Sequence, residues 1–413
     1  MITPSFGLTA TERVLPKFAL NFTNASLDPR VTFSRALNTA TRVNSNGYIE
    51  TVNADTPRFD YDPITLACKG LLIEESRINS LIYSEQFNVS ATWVPSANIS
   101  VSADAAISPA NTLTADKLIN ANGASGESIA QLSSYTSGTT YTYSVFLKAA
   151  GNTTFILLAN SNLFSDATFR FATFNLSNGT YTLGGGSGAT ATITAFKNSW
   201  YRCSLTFTPS VTISGAVQLR NNNVGNGIDG VYVWGAQNEI GAFPTSYIPT
   251  TTTSVTRNAD VATMTGTNFS SWFNASEGTF VYQGYASPQT PAVYLSAHSG
   301  AVANSIFFDN DSGNIRNVVF SGGAPVAVLS TGAIGTVGNP VKLVGAYKVD
   351  DFAAVKNNET LAQDLAGAVP VGLDTLVLGG WGSVANAQVN SWVAKVFYYP
   401  QRLLNAEMQA FSK

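Results

Sequence analysis

Enzymatic chemistry needs nucleophiles, acids, bases or metal ligands brought together, and this chain of 413 residues carries few of them. Its one histidine, His298, lies in LSAHSG with neither a serine elbow nor a metal-spaced partner, so a catalytic triad or a zinc site has no support. Glycoside hydrolysis would need two carboxylates flanking the scissile bond. Between residues 81 and 250 the acids are Glu85, Asp104, Asp116, Glu127, Asp166, Asp229 and Glu239, scattered and mostly beside turn residues. Glu74 and Glu75 are adjacent, so on a strand they face opposite ways. The chain therefore reads as a non-enzyme. In FDNDSGN at 308–314, Asp309 and Asp311 stand at alternate positions, where oxygen ligands suit Ca²⁺; an Asx-rich turn between strands is the commoner meaning of such a run. No other cofactor is indicated.

Sugar binding asks for exposed aromatic faces beside planar polar side chains. Trp93, Trp200, Tyr232, Trp234, Trp381 and Trp392 are the aromatic candidates. Trp200 and Trp234 fall inside strand-like runs, where large rings more often pack a core. Trp381 stands out because GGWGSVANAQ is glycine-flanked and rich in amides. Trp381, Trp93, Asn386 and Gln388 form the glycan-binding set expected from sequence. A different chemistry marks residues 26–80, where Arg30, Arg35, Arg42, Arg58, Lys69 and Arg77 alternate with Asp28, Asp55, Asp60, Asp62, Glu74 and Glu75. Guanidinium forks suit carboxylates and carbonyls across an interface. Arg30, Arg35, Arg42, Arg58 and Arg77 are accordingly expected to dock onto a neighbouring subunit or larger assembly. The alternative is an intrachain strap with solvated ion pairs.

The elements that position these residues are strands. Hydrophobic content is 45% and charge 11%, a balance opposite to that of disordered chains. Period-two alternation recurs in YTYSVFLKA (141–149), TFRFATFN (168–175), TATITAF (190–196), WYRCSLTFT (200–208) and GVYVWGA (230–236). In WYRCSLTFT, Tyr201, Cys203, Leu205 and Phe207 point one way, and Arg202, Ser204, Thr206 and Thr208 the other. GTFVYQGY (278–285), NSIFFDN (304–310), VKLVGAY (341–347), TLVLGG (375–380) and NSWVAKVFYY (390–399) continue the pattern. Only the end changes period: after Pro400, Leu403, Leu404, Met408 and Phe411 fall at helical spacing with Asn405 as N-cap, a helix expected to cover an open sandwich edge. The class is all-β, with tandem antiparallel sandwiches, an irregular N-terminal segment and a short C-terminal helix.

Two steps in composition suggest boundaries. Residues 1–80 hold 8 basic and 8 acidic side chains, whereas 81–256 hold 6 and 7 over more than twice the length. The Thr/Pro stretch at 243–261 is the second, giving units at 1–80, 81–250 and 251–413. A weak echo links VTFSRALNTATRV (31–43) to VTRNADVATM (255–264), each opening with Val-Thr and an arginine, and hints that the first segment lends strands to the last sandwich. Cys68 and Cys203 sit in apolar contexts and read as free, buried thiols. Net charge of -3 without a basic stripe argues against nucleic acid, and no run suits a cleaved signal or a membrane span, so a non-exported soluble chain is expected.

The charged block at 26–80 resembles the N-terminal segment of a family of bacteriophage virion proteins of the tail-fibre and head-fibre kind. TADKL (114–118), YTYSVFLKA, WYRCSLTFT and VYVWGAQNEIGAFPTSYIPT (231–250) resemble the carbohydrate-binding-module jelly rolls of phage fibres. AYKVDDFAAVKNNE (346–359) and the closing VAKVFYYPQRLLNAEMQAF resemble concanavalin- or laminin-G-like sandwiches. These likenesses imply a virion structural protein, assembled in the host cytoplasm, that adheres to host-surface polysaccharide as a fibre or spike. They also imply contacts with other virion proteins and a homotrimer. A capsid decoration or cement protein without a sugar role is the competing expectation.

Overall fold

Alternating side chains give strands, and among the described residues the strands pair into four large antiparallel sheets. A computed structural model describes residues 15–381 and 387–413. Among the described residues, two six-stranded sheets form one sandwich. The first runs Thr190–Phe196, Trp200–Phe207, Tyr141–Ala150, Gly230–Ile240, Leu113–Asn120, Ile99–Ile107. The second runs Thr180–Gly185, Arg170–Asn175, Thr154–Ala159, Ile213–Asn221, Glu127–Tyr135, Val94–Pro95. Cys203, Leu205 and Phe207 enter the core between them, beside Tyr143, Val145 and Leu157, as the alternation in WYRCSLTFT requires.

The other sandwich is built from both sides of this module in sequence. Its seven-stranded sheet orders Thr32–Ser34, Val261–Thr265, Thr375–Leu378, Ala292–His298, Ser305–Asp311, Asn314–Ser321, Ala324–Ala333. Its eight-stranded sheet runs Ala362–Asp364, Phe352–Lys356, Pro340–Lys348, Glu277–Tyr285, Ser391–Tyr399, Cys68–Ile73, Phe59–Tyr61, and Phe18–Asn21 also pairs Ser391–Tyr399. Phe18, Leu20, Phe33, Leu71 and Ile73 share one core with Phe280, Tyr294, Leu376 and Val396. Residues 18–79 are thus not a separate irregular unit. They supply strands to the sandwich completed after residue 255, as the Val-Thr-Arg echo hinted, because their apolar alternates find a face only there. The first sandwich is inserted between, and Arg77–Asn79 pairs Val255–Arg257 where the chain leaves and returns.

Local chemistry fixes the details. Gly70 stands at a bulge between Asp60 and Tyr61, with φ +118, and a Cβ there would meet the Val393 carbonyl at 2.2 Å. The closing helix is Asn405–Phe411, with Leu404 rather than Asn405 as its cap; Glu407 Oε2 accepts from the Leu404 N–H at 2.8 Å. It covers a sheet face, not an edge, since Leu403 and Met408 pack on Val281, Val344 and Val355. Both cysteines are free, Cys203 buried and Cys68 half-buried. Among the described residues no helix is long and apolar enough to cross a membrane.

Candidate functional site

The expected docking arginines divide into two groups. Arg35 and Arg58 are 1% and 0% exposed, and Arg77 is 7% exposed, so they cannot form a docking surface. Their partners come from within the chain. Arg35 Nη1 meets Asp260 Oδ1 at 3.1 Å. Arg58 joins Asp260 through Nη2 and Glu74 Oε2 through Nη1 at 2.7 Å. Arg257 Nη1 reaches the same Glu74 oxygen at 2.6 Å, and Arg77 reaches Glu75 at 2.5 Å. Ser246, in the stretch joining the sandwiches, donates to Glu74 from its amide at 2.8 Å and its hydroxyl at 2.7 Å. Burial alone would raise the Glu74 carboxyl, but Arg257 and Arg58 outweigh it and hold it at about 2. For Arg35, Arg58 and Arg77 the contacts are those of an intrachain strap, with ion pairs buried instead of solvated. Arg30 and Arg42 stay on the surface, paired locally to Asp28 at 2.8 Å and Glu50 at 2.7 Å.

The aromatic candidates are also redistributed. Trp93 is fully buried against Phe87, its Nε1 donating to the Tyr83 carbonyl at 3.0 Å. Trp381 is 9% exposed, stacked on His298 at 5.5 Å and edge-on to Phe307 at 4.7 Å. Neither offers a free platform; each ring gains more by packing than a lone exposed face would. Gln388 is buried and Asn386 lies outside the described residues. The calcium expectation is corrected too. Arg316 occupies the space between the acids, with Nη2 on Asp309 at 2.6 Å and Nη1 on Asp311 at 2.8 Å. Among the described residues no cluster of three or more His, Cys, Asp or Glu is set to hold a metal.

A cleft of about 370 Å³ lies where the two sandwiches meet, within the size range of small-ligand sites. The inserted sandwich contributes Phe146, Thr192, Thr194, Phe196 and Arg202 from the outer face of one sheet. The 40–52 hairpin contributes Arg42, Val43 and Ile49, and the joining stretch contributes Phe243, Pro244 and Tyr247. From the other sandwich come Asp60, Tyr61, Lys69, Trp392 and Asn390. The floor is set by a small apolar cluster in which Ile49 packs with Phe146, Trp200, Trp234 and Tyr247. Trp392 is half-buried on Ser391–Tyr399; its neighbour Val393 enters the core, so the indole faces outward. Its Nε1 donates to Asp60 Oδ2 at 2.8 Å, and Lys69 Nζ stands 3.9 Å over the ring. A second, wider cleft of about 670 Å³ is lined by Glu75, Arg77, Tyr141 and Phe243, but Arg77 there is committed to Glu75 and the Ile240 carbonyl.

Two carboxylates, Asp60 and Glu74, line the smaller cleft with pKa values driven apart. Burial pushes Asp60 up to about 6, although the Val43 amide and Trp392 indole both donate to it. Such a split is a signature of acid–base pairs. Here, however, both Asp60 oxygens accept protein donors, and Glu74 accepts from Arg58, Arg257 and Ser246. Exposures of 6% and 4% leave neither free to meet a substrate. The arrangement suits binding. Lys69 and Trp392 were visible in sequence as residue types only; Arg202 was signalled by being the one charge on a Ser/Thr-lined face.

No protein-family model matches the chain, and no curated protein sequence matches it. Solved structures with partial similarity include mouse laminin α1 chain domains LG4-5, at 10% identity and TM-score 0.25, covering 68% of this chain and 88% of that one. The NanB sialidase of Streptococcus pneumoniae is similar at 12% identity and TM-score 0.31 over 36% of this chain, which spans only 26% of the sialidase. Trypanosoma rangeli sialidase gives 10% identity and TM-score 0.29, covering 71% of this chain and 60% of that one. At these values neither ligand nor activity follows from the likeness, and the β-sandwich class rests on the strand pairing itself.

Proposed function

We propose that this chain is a bacteriophage virion structural protein, a fibre or spike-like appendage that adheres to host-surface glycans without cleaving them. One observation carries the reading: the inter-sandwich cleft joins an outward indole, the exposed residues Thr192 and Thr194, and cations, while both of its acids are engaged by protein donors. An indole gives a pyranose ring a flat apolar face, and hydroxyls and amides satisfy its edges. Many such weak contacts on one particle add by multivalency. Association of three copies, contact with other virion proteins and assembly in the host cytoplasm belong to the same reading through the family resemblance.

The test uses the full chain, since residues 18–79 are strands of the second sandwich. Labelled protein is incubated with purified host-surface polysaccharide; retention without release of reducing ends is expected, and antibody should decorate appendages of intact particles. Absence of retention, with label spread over the capsid shell, would instead establish a decoration protein.

A further inference from the structure

We infer that the inter-sandwich cleft takes an acidic saccharide unit, whose carboxylate or phosphate group sits on Arg202; this rests on the glycan-adhesion reading above. Arg202 lies on Trp200–Phe207, where Cys203, Leu205 and Phe207 fill the core, and on the opposite face of the strand Arg202 lines the cleft. Six arginines gather near the junction, and five of them touch a carboxylate: Arg35 on Asp260, Arg42 on Glu50, Arg58 on Glu74 and Asp260, Arg77 on Glu75, Arg257 on Glu74. Arg202 alone differs. Among the described residues no carboxylate lies within ion-pair distance of it and its Nη2 donates only to Ser144 Oγ at 3.2 Å; its buried Nε lacks an acceptor, as do those of Arg35, Arg58 and Arg257, but those three have carboxylates on their other nitrogens.

A guanidinium held over the Phe146 ring at 5.5 Å, with a donor left unmet, is a costly arrangement that an anion would relieve. Its planar fork matches carboxylate or phosphate oxygens in pairs. Burial lowers the Arg202 pKa, and Glu239 and Glu74 act on it only from a distance, their oxygens being held by Thr245 and by Ser246 with Arg257. Lys69, 4.0 Å from Asp62, adds a second cation to the same cleft beside Trp392. An anionic substituent on Arg202, with the ring toward the indole, thereby uses both chemistries that the cleft presents.

The experiment measures binding of three probes to the full chain by calorimetry at low salt: a hexuronate oligosaccharide, the same oligosaccharide with its carboxyls reduced to alcohols, and a hexose phosphate. At least one acidic probe should bind, with the reduced probe about 10-fold or more weaker, and Arg202→Gln should cost that acidic probe about 10- to 100-fold. Which acidic probe binds identifies the anion. Arg202→Lys, which keeps the charge but not the fork, should fall between and serves if the glutamine variant does not fold. Equal affinity for acidic and reduced probes, unchanged by either substitution, overturns the assignment of Arg202 while leaving glycan adhesion standing. Failure of every probe together with failure to retain host polysaccharide overturns the adhesion reading as well.

Discussion

Replacing Glu74 by glutamine tests whether the buried charge cluster joins the two ends of the second sandwich. The Glu74 carboxylate is 4% exposed and accepts from Arg58 and Arg257 at 2.7 and 2.6 Å and twice from Ser246. Glutamine keeps the shape but turns one oxygen into a donor facing two guanidinium groups, and leaves Arg257 without a carboxylate. Breaking a buried pair from one side costs about 3–5 kcal/mol. Linkage gives an independent figure. The drop from 4.5 to about 2 on folding corresponds to roughly 3 kcal/mol at about 1.36 kcal/mol per pH unit. Because the folded value is the lower one, this stability is present above 4.5 and is lost as pH falls toward 2. Urea unfolding of both proteins, followed by tryptophan fluorescence, should show the variant weaker by about 3 kcal/mol near neutrality. The gap should close progressively as pH falls through that window. Asp60 works in the opposite sense, since burial raises it from 3.8 to about 6 and stability falls as pH rises between those values; it is present in both proteins and cancels. A variant within about 1 kcal/mol of the parent near neutrality, or a gap that ignores pH, would refute the argument.

Deleting residues 1–80 should yield a chain without a cooperative second sandwich, seen as lost near-UV dichroism and aggregation on sizing; a monomeric, well-folded fragment would contradict the shared core. Trp93→Ala should cost about 3–5 kcal/mol in urea titrations while binding per folded molecule is kept, and Trp392→Ala should do the reverse. Calcium and chelator should leave the melting temperature unchanged, because Arg316 already bridges Asp309 and Asp311; a rise with calcium would restore a metal site there. Under native conditions a thiol reagent should modify half-buried Cys68 before Cys203, whose thiol burial pushes well up; the reverse order would contradict the packing.

The strands were legible because period-two alternation is a local property: TATITAF occupies Thr190–Phe196, and NSWVAKVFYY contains Ser391–Tyr399. The binding residues were less so. Whether a tryptophan lies in a core or beside a cleft depends on which sheet lands on it, and Trp93 and Trp392 look alike in one dimension. The arginine block was visible as charge density, but its burial depends on Asp260, 225 residues beyond Arg35 in the chain. The repeated Val-Thr-Arg motif did carry that information. Arg35 and Arg257 both enter the buried cluster, and Thr32–Ser34 pairs Val261–Thr265.

Nesting one sandwich inside the other sets an order of events during translation. Asn79 leaves the ribosome about 175 residues ahead of Val255, a delay of roughly 10–40 s at usual elongation speeds. For that interval and beyond it the apolar run CKGLLI at Cys68–Ile73 has only the three-residue strand Phe59–Tyr61 beside it, its other partner Ser391–Tyr399 being still unmade, whereas the inserted sandwich finds all its ladder partners between Val94 and Ile240. The early strands are therefore the part most dependent on chaperone shelter, and slower growth temperatures should improve the recovered yield more than changes to the inserted module.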